Sequence, residues 1–140
     1  MEPLKFTRLE DQLPLGSEAQ PGAAIDSSPL HGTWHNTDKK TRGIVKLVIS
    51  AGGGEGSLAV RAYGACTPSP CDWGEAEGQA FSGGAAEREG MAFTVTFDFN
   101  FMKTTLAVYL KGGILVLDSF NTFKDGSGRF NYFSREFFHS

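Results

Sequence analysis

The feature that most constrains the fold of this chain is a run of short extended segments separated by tight turns. Eight candidate strands follow one another from residue 32 onward, joined by turns rich in Gly, Asp and Pro such as AGGGEG, GGAAEREG and KDGSG. No stretch of this region shows a helical period over three turns. The predicted strands are 32–37, 42–50, 57–65, 74–82, 91–101, 103–111, 113–123 and 129–138.

Short turns between consecutive strands require antiparallel pairing, so the eight segments predict a meander. An open meander of eight strands would leave two unpaired edges, and closure into a barrel removes them. We therefore predict an all-β fold, an eight-stranded antiparallel up-and-down barrel. A barrel of this size has an interior that side chains can fill or that holds one small ligand.

Residues 1–29 differ in character from the remainder, because LPLGSEAQPGAAIDSSPLHG has three prolines and little periodicity. They predict an extended N-terminal arm, and residues 30–140 predict the barrel domain. A chain of 140 residues fits a single domain and buries roughly two thirds of its unfolded surface.

Strict alternation in 91–101 predicts which face of that strand lies inside the barrel. Phe93, Val95, Phe97, Phe99 and Phe101 share one face, and the intervening residues are mostly polar. The twelve phenylalanines of the chain are enough large rings to fill an eight-stranded interior.

Two late segments, 113–123 and 129–138, are apolar on both faces. A strand of that kind is covered on both sides. The cover is either a second subunit, in a homodimer formed through these two strands, or the N-terminal arm. The apolar residues of the arm are Leu4, Phe6, Leu9, Leu13 and Leu15.

The charge pattern argues against nucleic acid and membrane partners. The net charge is −3, so there is no basic field to attract phosphates. No apolar run approaches the ~18 residues needed to span a bilayer. The N-terminal segment MEPLKFTRLEDQLPLG is charged and has no apolar signal-peptide region, which predicts a soluble, cytoplasmic protein.

Catalytic motifs are scarce, so we lean towards a protein without enzymatic activity. The chain has no HExxH, GxSxG or P-loop pattern. His31 and His35 are four residues apart on an extended segment, about 13 Å along the chain, which is too far for shared chelation. We expect no catalytic residue, no bound metal and no cofactor.

Cys66 and Cys71 flank the sequence TPSP. In a cytosolic protein the default is a pair of reduced thiols. A disulfide is the second alternative, and a metal site is the third, since the pair offers only two ligands at an unusual spacing.

The stretch Gly32-Thr33-Trp34 opens the first predicted strand. It resembles the calycins, which include the lipocalins, the fatty-acid-binding proteins and the avidins. In lipocalin-like barrels this tryptophan closes one end, and a basic residue of a late strand packs across it. The resemblance gives that role to Arg135. GTWHN is similar to the first strand of the avidins, where Asn36 matches a pocket asparagine, but Lys40 and the presence of only two tryptophans depart from the avidin pattern and argue against biotin.

The longer pattern from GTWHNTDKKTRG to YGACTPSPCDWG resembles a group of small bacterial calycin-like domains of unknown function. The ligand-binding candidates combine the two tryptophans with nearby polar and charged residues. They are Trp34, Asn36, Arg61, Tyr63, Trp73 and Arg135.

Each candidate also has a purely structural interpretation. Trp34 and Trp73 would act as a plug and a rim contact, and Asn36 would order the first hairpin. Arg61 and Lys46 would point outward into solvent. If they point inward instead, they would need an acidic partner or an anionic ligand.

Two functions remain at this stage. The first is non-enzymatic binding of a small, largely apolar ligand, with an anionic end if a cation faces inward. The alternative is a barrel filled by its own phenylalanines, which acts as a protein-interaction or structural module and forms a homodimer.

Overall fold

The computed structural model describes residues 7–13 and 23–140. In this part of the chain, eight strands form a closed antiparallel barrel in which each strand pairs with its neighbours in sequence and the last pairs with the first. The prediction of an all-β, up-and-down barrel is confirmed. The strands are β1 (Gly32–Asn36), β2 (Ile44–Ala51), β3 (Ser57–Gly64), β4 (Cys71–Ser82), β5 (Gly90–Asp98), β6 (Met102–Lys111), β7 (Ile114–Phe123) and β8 (Tyr132–His139).

Every strand differs from its predicted range by one to three residues at one end or both, and two of these differences have a local reason. β4 begins at Cys71 because this residue pairs with Gly64 of β3, so the sheet extends into the Pro-rich turn. β5 ends at Asp98 because the chain then turns, and the Phe99 amide donates to the Met102 carbonyl at 2.8 Å. Phe101 therefore lies in a turn and not in the strand.

Alternating strand directions define two ends of the barrel, which we call the lower and the upper end. β1, β3, β5 and β7 run from the lower to the upper end, and the other strands run back. The upper end carries four connections, at residues 37–43, 65–70, 99–101 and 124–131.

The inner face of the lower half is an apolar core, as the alternation predicts. Phe93, Val95 and Phe97 of β5 all point inward, and Phe93 is only 1% exposed. The residues that meet them from the other strands are large aliphatic side chains and one phenylalanine. They are Leu47, Ile49, Leu58, Val60, Leu106, Val108, Leu115, Leu117 and Phe138.

Trp34 and Leu30 close the lower end. Trp34 is 5% exposed, and its indole Nε1 donates to the Leu30 carbonyl at 3.2 Å, which satisfies the buried N–H. Leu30 is fully buried and ends a short 3-10 helix, Ser28–Leu30.

Part of the predicted N-terminal arm is bonded to the barrel. Asp26 forms a bridge with Glu89, its amide donates to the Arg88 carbonyl at 2.9 Å, and its carbonyl accepts from the Gly90 amide at 2.7 Å. A Cβ at Gly90 would come within 2.9 Å of that carbonyl, so glycine permits the close approach.

Of the arm residues predicted to cover the late strands, Leu9 and Leu13 lie in the described part of the chain. Leu9 and Leu13 are exposed, at 85% and 69%, so they cover no face of the barrel. Leu4, Phe6 and Leu15 lie outside the described residues. The boundary between an arm at 1–29 and a barrel domain at 30–140 stays a prediction.

Replacing Phe93 by Ala should lower the free energy of unfolding by about 3–5 kcal/mol, because a buried ring is removed and a cavity is left. Denaturant titration followed by circular dichroism measures the loss. Phe130→Ala is the matched control: this ring is 89% exposed, so its removal should change stability by less than about 0.5 kcal/mol. Equal losses for the two variants would contradict the assignment of the core.

Candidate ligand-binding site at the upper end of the barrel

The inner face changes from apolar to polar in the upper half of the barrel. Along β7, Leu115 and Leu117 point inward and are followed in the same phase by Ser119 and Asn121. Thr104 on β6 pairs with Asn121 and is also buried. The alternation of inward and outward residues continues unbroken, so these polar side chains lie where a filled core would have apolar ones.

A chain of hydrogen bonds joins these polar side chains across three strands. The Thr104 hydroxyl donates to Asn121 Oδ1 at 2.8 Å, and Asn121 Nδ2 donates to Ser119 Oγ at 3.2 Å. Ser119 Oγ lies 2.6 Å from Ser134 Oγ of β8. Buried polar groups need partners, and here they find them in one another.

A second polar cluster joins β8 to the β1–β2 loop. Asn36 Nδ2 donates to the Ile44 carbonyl at 2.9 Å and also to Glu136 Oε2. The Thr41 hydroxyl donates to the same Glu136 oxygen. Asn36 Oδ1 accepts from the Asp38 amide at 2.8 Å, so the amide group of Asn36 is held from both sides.

The second carboxylate oxygen of Glu136, Oε1, is placed differently. It lies so close to Gly43 that a Cβ at that position would overlap it, so the absence of a side chain at Gly43 makes room for the carboxylate. Within residues 7–13 and 23–140, Oε1 accepts no hydrogen bond and no Lys, Arg or His nitrogen lies within 4.0 Å of Glu136. Glu136 is therefore a half-buried residue on the inner face of β8, and its Oε1 lies beside Gly43 without a hydrogen-bond donor from the described chain.

Aromatic side chains border the upper end on the β4–β5 side. Trp73 makes edge contacts with Phe97 and Phe99, at ring-centroid distances of 5.6 and 5.3 Å. Phe99 stacks on Phe101 at 6.1 Å. Aromatic pairs prefer such offset and edge arrangements, which hold the rings in a defined geometry.

The Arg129 side chain links this row of rings to the aromatic residues near β8. The Arg129 guanidinium lies over the Phe123 ring at 4.2 Å and near the Phe101 ring at 5.8 Å. Phe123 in turn contacts Tyr132 at 6.1 Å. We call this set the aromatic collar, and it comprises Trp73, Phe99, Phe101, Phe123, Arg129 and Tyr132.

A disulfide lies beside Trp73 at the start of β4. Cys66 and Cys71 are bonded, with their Cα atoms 5.5 Å apart, within the range that disulfides require. The prediction of reduced thiols is therefore wrong, because the β3–β4 hairpin turns the chain back within five residues and brings the two side chains together. Gly64 leaves room for the Trp73 indole, since a Cβ at Gly64 would lie 2.6 Å from the indole nitrogen.

The structure places the predicted ligand-binding residues on two different faces. Trp34 points inward at the lower end, and Asn36 points inward towards the upper end. Trp73 is half-buried at the upper rim. Arg61 and Tyr63 lie on the outer face: Arg61 pairs with Asp72 at 2.7 Å. The structural interpretation of Arg61 as an outward-pointing residue is the one observed.

Lys46, the second cation considered for the interior, is also outside. Its Nζ lies 4.4 Å from the centre of the Tyr63 ring, a cation–π contact on the outer surface. An inward-pointing cation would favour a ligand with an anionic end. Lys46 and Arg61 both point outward, so neither supports an anionic ligand.

Arg135 does not pack across Trp34. It lies on the outer face of β8 and donates two hydrogen bonds to the Asp118 carboxylate, at 2.6 and 2.9 Å. These bonds lower the pKa of Asp118, because they favour its ionised form. The next residue, Glu136, occupies the inward position. At this level the Glu136 carboxylate lies on the inner face of β8 and the Arg135 guanidinium lies on the outer face.

Several residues of the upper end were not among the sequence candidates. They are Thr104, Ser119, Asn121, Ser134, Glu136, Arg129 and the phenylalanines of the collar. The available signal was a polar residue in the inward phase: Ser119 and Asn121 follow Leu117 at a spacing of two, and Ser134 and Glu136 precede Phe138 in the same way.

A groove of about 490 Å³ lies at the lower end, outside the barrel. It is lined by residues 23–25 and by parts of β4, including Gln79 and Phe81. The chain continues from Ala23 into residues outside the described part, so we assign no ligand to this groove.

Comparisons with known proteins find no matching family model, no matching curated protein and no matching solved structure. Within residues 7–13 and 23–140, no group of three or more His, Cys, Asp and Glu side chains is arranged to hold a metal ion. The same residues contain no helix that is long and apolar enough to cross a membrane.

Removing the disulfide should lower the free energy of unfolding by roughly 2 kcal/mol, the chain-entropy value for so short a loop. The variant is Cys66→Ser with Cys71→Ser, and the measurement is denaturant unfolding with and without a phosphine reductant. The reductant should destabilise the wild type by a similar amount and leave the double variant unchanged. A wild type whose stability does not change after complete reduction would refute this estimate.

Proposed function

We propose that this protein binds a small, largely apolar ligand at the upper end of its barrel and catalyses no reaction. One observation carries the proposal: a cluster of inward polar side chains lies at one end of the barrel and is bordered by the aromatic collar. Binding sites for small molecules combine apolar walls with a few polar groups that fix orientation. The lower end, in contrast, is closed by Leu30 and Trp34.

The two sides of the upper end have different tasks in this proposal. Trp73 and Phe99 supply apolar contact area on the β4–β5 side and pack on the core cluster that contains Phe97. The fully buried polar residues on β6 and β7 bond one another, so the ligand meets the half-buried groups. Those groups are Thr41, Ser134 and Glu136.

The calycin relationship is part of the same proposal. Its support is the closed up-and-down barrel of eight strands in the described chain, the Gly32-Thr33-Trp34 start of β1 and the position of Trp34 at the closed end. A bacterial origin depends on the sequence resemblance. The Cys66–Cys71 disulfide favours an oxidising compartment over the cytoplasm, where thiols are kept reduced.

Titration with N-phenyl-1-naphthylamine, a neutral apolar dye whose fluorescence rises on binding, tests the site. We expect saturable one-to-one binding, weakened about tenfold by Trp73→Ala because the aromatic wall is lost. Phe133→Ala, which removes a ring from the outer face, should leave the affinity unchanged. Absence of saturable binding, or dependence on Phe133 instead of Trp73, would falsify the proposed site.

A second candidate function is self-association, supported by the outer face of β7 and β8. Phe120, Phe133 and Phe137 are about half exposed, and the Phe120 and Phe133 rings lie 5.4 Å apart. An exposed apolar patch of this kind commonly marks an interface. The Asp118–Arg135 ion pair inside the patch is internally neutralised, so two copies could meet there without an unpaired charge.

Analytical ultracentrifugation tests this second candidate. We expect a dimer in wild-type protein at high micromolar concentration and a monomer in the variant Phe120→Ser with Phe133→Ser, because the shared apolar area is lost. Phe130→Ser, at a fully exposed ring outside the patch, should remain dimeric. A strictly monomeric wild type would exclude the homodimer.

A further inference from the structure

We infer that the ligand of the upper end carries a positively charged, hydrogen-bond-donating nitrogen, such as an amine or an amidine, which Glu136 recognises. This inference depends on the proposed function, because it specifies the chemical class of the ligand at the same site. The observation behind it is the half-buried carboxylate on the inner face of β8.

The described chain donates hydrogen bonds to one oxygen of Glu136 and none to the other. Oε2 accepts hydrogen bonds from Asn36 and from Thr41, and Thr41 is itself oriented by the Gly43 amide, which donates to its hydroxyl at 3.0 Å. Both partners of Oε2 are neutral groups. They fix the position of the carboxylate but do not neutralise its charge.

A charge that is partly removed from water is costly unless an opposite charge or further donors accompany it. Three carboxylates on the outer face of this barrel have such partners, whereas Glu75 and Glu77 are exposed to water and have none among residues 7–13 and 23–140. Asp72 pairs with Arg61, Asp98 with Lys124, and Asp118 with Arg135. Glu136 faces the interior, and within the described chain it has no ion-pair partner, so a cationic ligand group would supply the missing counter-charge.

None of the cations described near the upper end pairs with Glu136. Arg129 of the collar bonds the Asp125 carboxylate at 3.1 Å, and Arg135 is held on the outer face by Asp118. The β1–β2 loop also carries Lys39, Lys40 and Arg42, which are exposed and make no ion pair with Glu136. Within the described chain, the carboxylate of Glu136 is therefore without a cation within 4.0 Å.

This charge pattern reverses the anionic ligand considered from the sequence. An anionic group would meet a like charge at Glu136, whereas an ammonium or amidinium group would form a charge-assisted hydrogen bond with Oε1. The aromatic collar borders the same end of the barrel, and aromatic faces attract cations. A compact aromatic or alkyl group attached to the charged nitrogen would contact the partly buried rings of Trp73 and Phe99.

Three probes of similar size and different charge test the inference: benzylamine, benzyl alcohol and benzoate. Their dissociation constants are measured by amide chemical-shift titration of the full chain. We expect benzylamine to bind about tenfold tighter than benzyl alcohol, because only its ammonium group forms a charge-assisted hydrogen bond with Glu136. Benzoate should bind most weakly, because its charge has the same sign as that of Glu136.

Variants locate the selectivity. Glu136→Gln should remove the roughly tenfold preference for benzylamine over benzyl alcohol, and Glu136→Asp, which keeps the charge, should retain a preference for the amine. Glu77→Gln makes the same chemical change at an exposed position and should alter nothing. The amide spectrum of each variant reports its folding, so a merely structural role of Glu136 would show as a spectral change without a change of charge preference.

The outcomes separate this inference from the proposed function. Equal binding of the three probes, or an unchanged preference in Glu136→Gln, overturns the cationic ligand and leaves ligand binding intact. Dye binding without measurable binding of benzylamine also overturns the inference. If neither the dye nor any of the three probes binds, the proposed site itself is refuted.

Discussion

The pairing of β1 with β8 is the interaction on which the rest of the structure depends. His35 lies opposite His139 and Asn36 opposite Phe138, and the Thr37 amide adds a hydrogen bond of 2.8 Å to the Phe137 carbonyl. This short seam turns a ribbon of strands into a barrel with an inside and an outside. It also brings Asn36 and Glu136, which are 100 residues apart in sequence, into direct contact.

The barrel is divided into halves with different physical characters. In the lower half the side chains interdigitate, from Phe93 to Phe138, and Trp34 with Leu30 seals the end. In the upper half the inward positions carry hydroxyl, amide and carboxyl groups that bond one another. A chain selected only for stability would place apolar residues at these positions, because removing a polar network in favour of good packing is commonly neutral or stabilising. The cost of the polar upper half is understandable if those groups meet a ligand.

The alternation of residues was sufficient to predict the strand order, the barrel and most of the inner face. Phe93, Val95 and Phe97 were assigned correctly because period-two patterning depends only on local geometry. The role of Arg135 was misjudged because a family pattern names a residue type, whereas strand register decides which of two neighbours points inward, and that neighbour is Glu136.

The disulfide could not be decided from CxxxxC either, since the separation of the two Cα atoms depends on the course of the hairpin. The hydrogen bonds from Asn36 and Thr41 to Glu136 are long-range contacts that no local pattern encodes.

The neighbouring opposite charges at 135 and 136 have a consequence for how this barrel can change over time. Strand register decides which of the two enters the barrel, because a one-residue slip of β8 against β7 turns every side chain of the strand to the other face. Such a slip would also turn the fully buried Phe138 outward, so the burial of that ring keeps Glu136 inside and Arg135 outside. The exposed loop between β7 and β8 can change in length while the charge inside the barrel stays the same, and only a substitution at Glu136 itself reverses that charge.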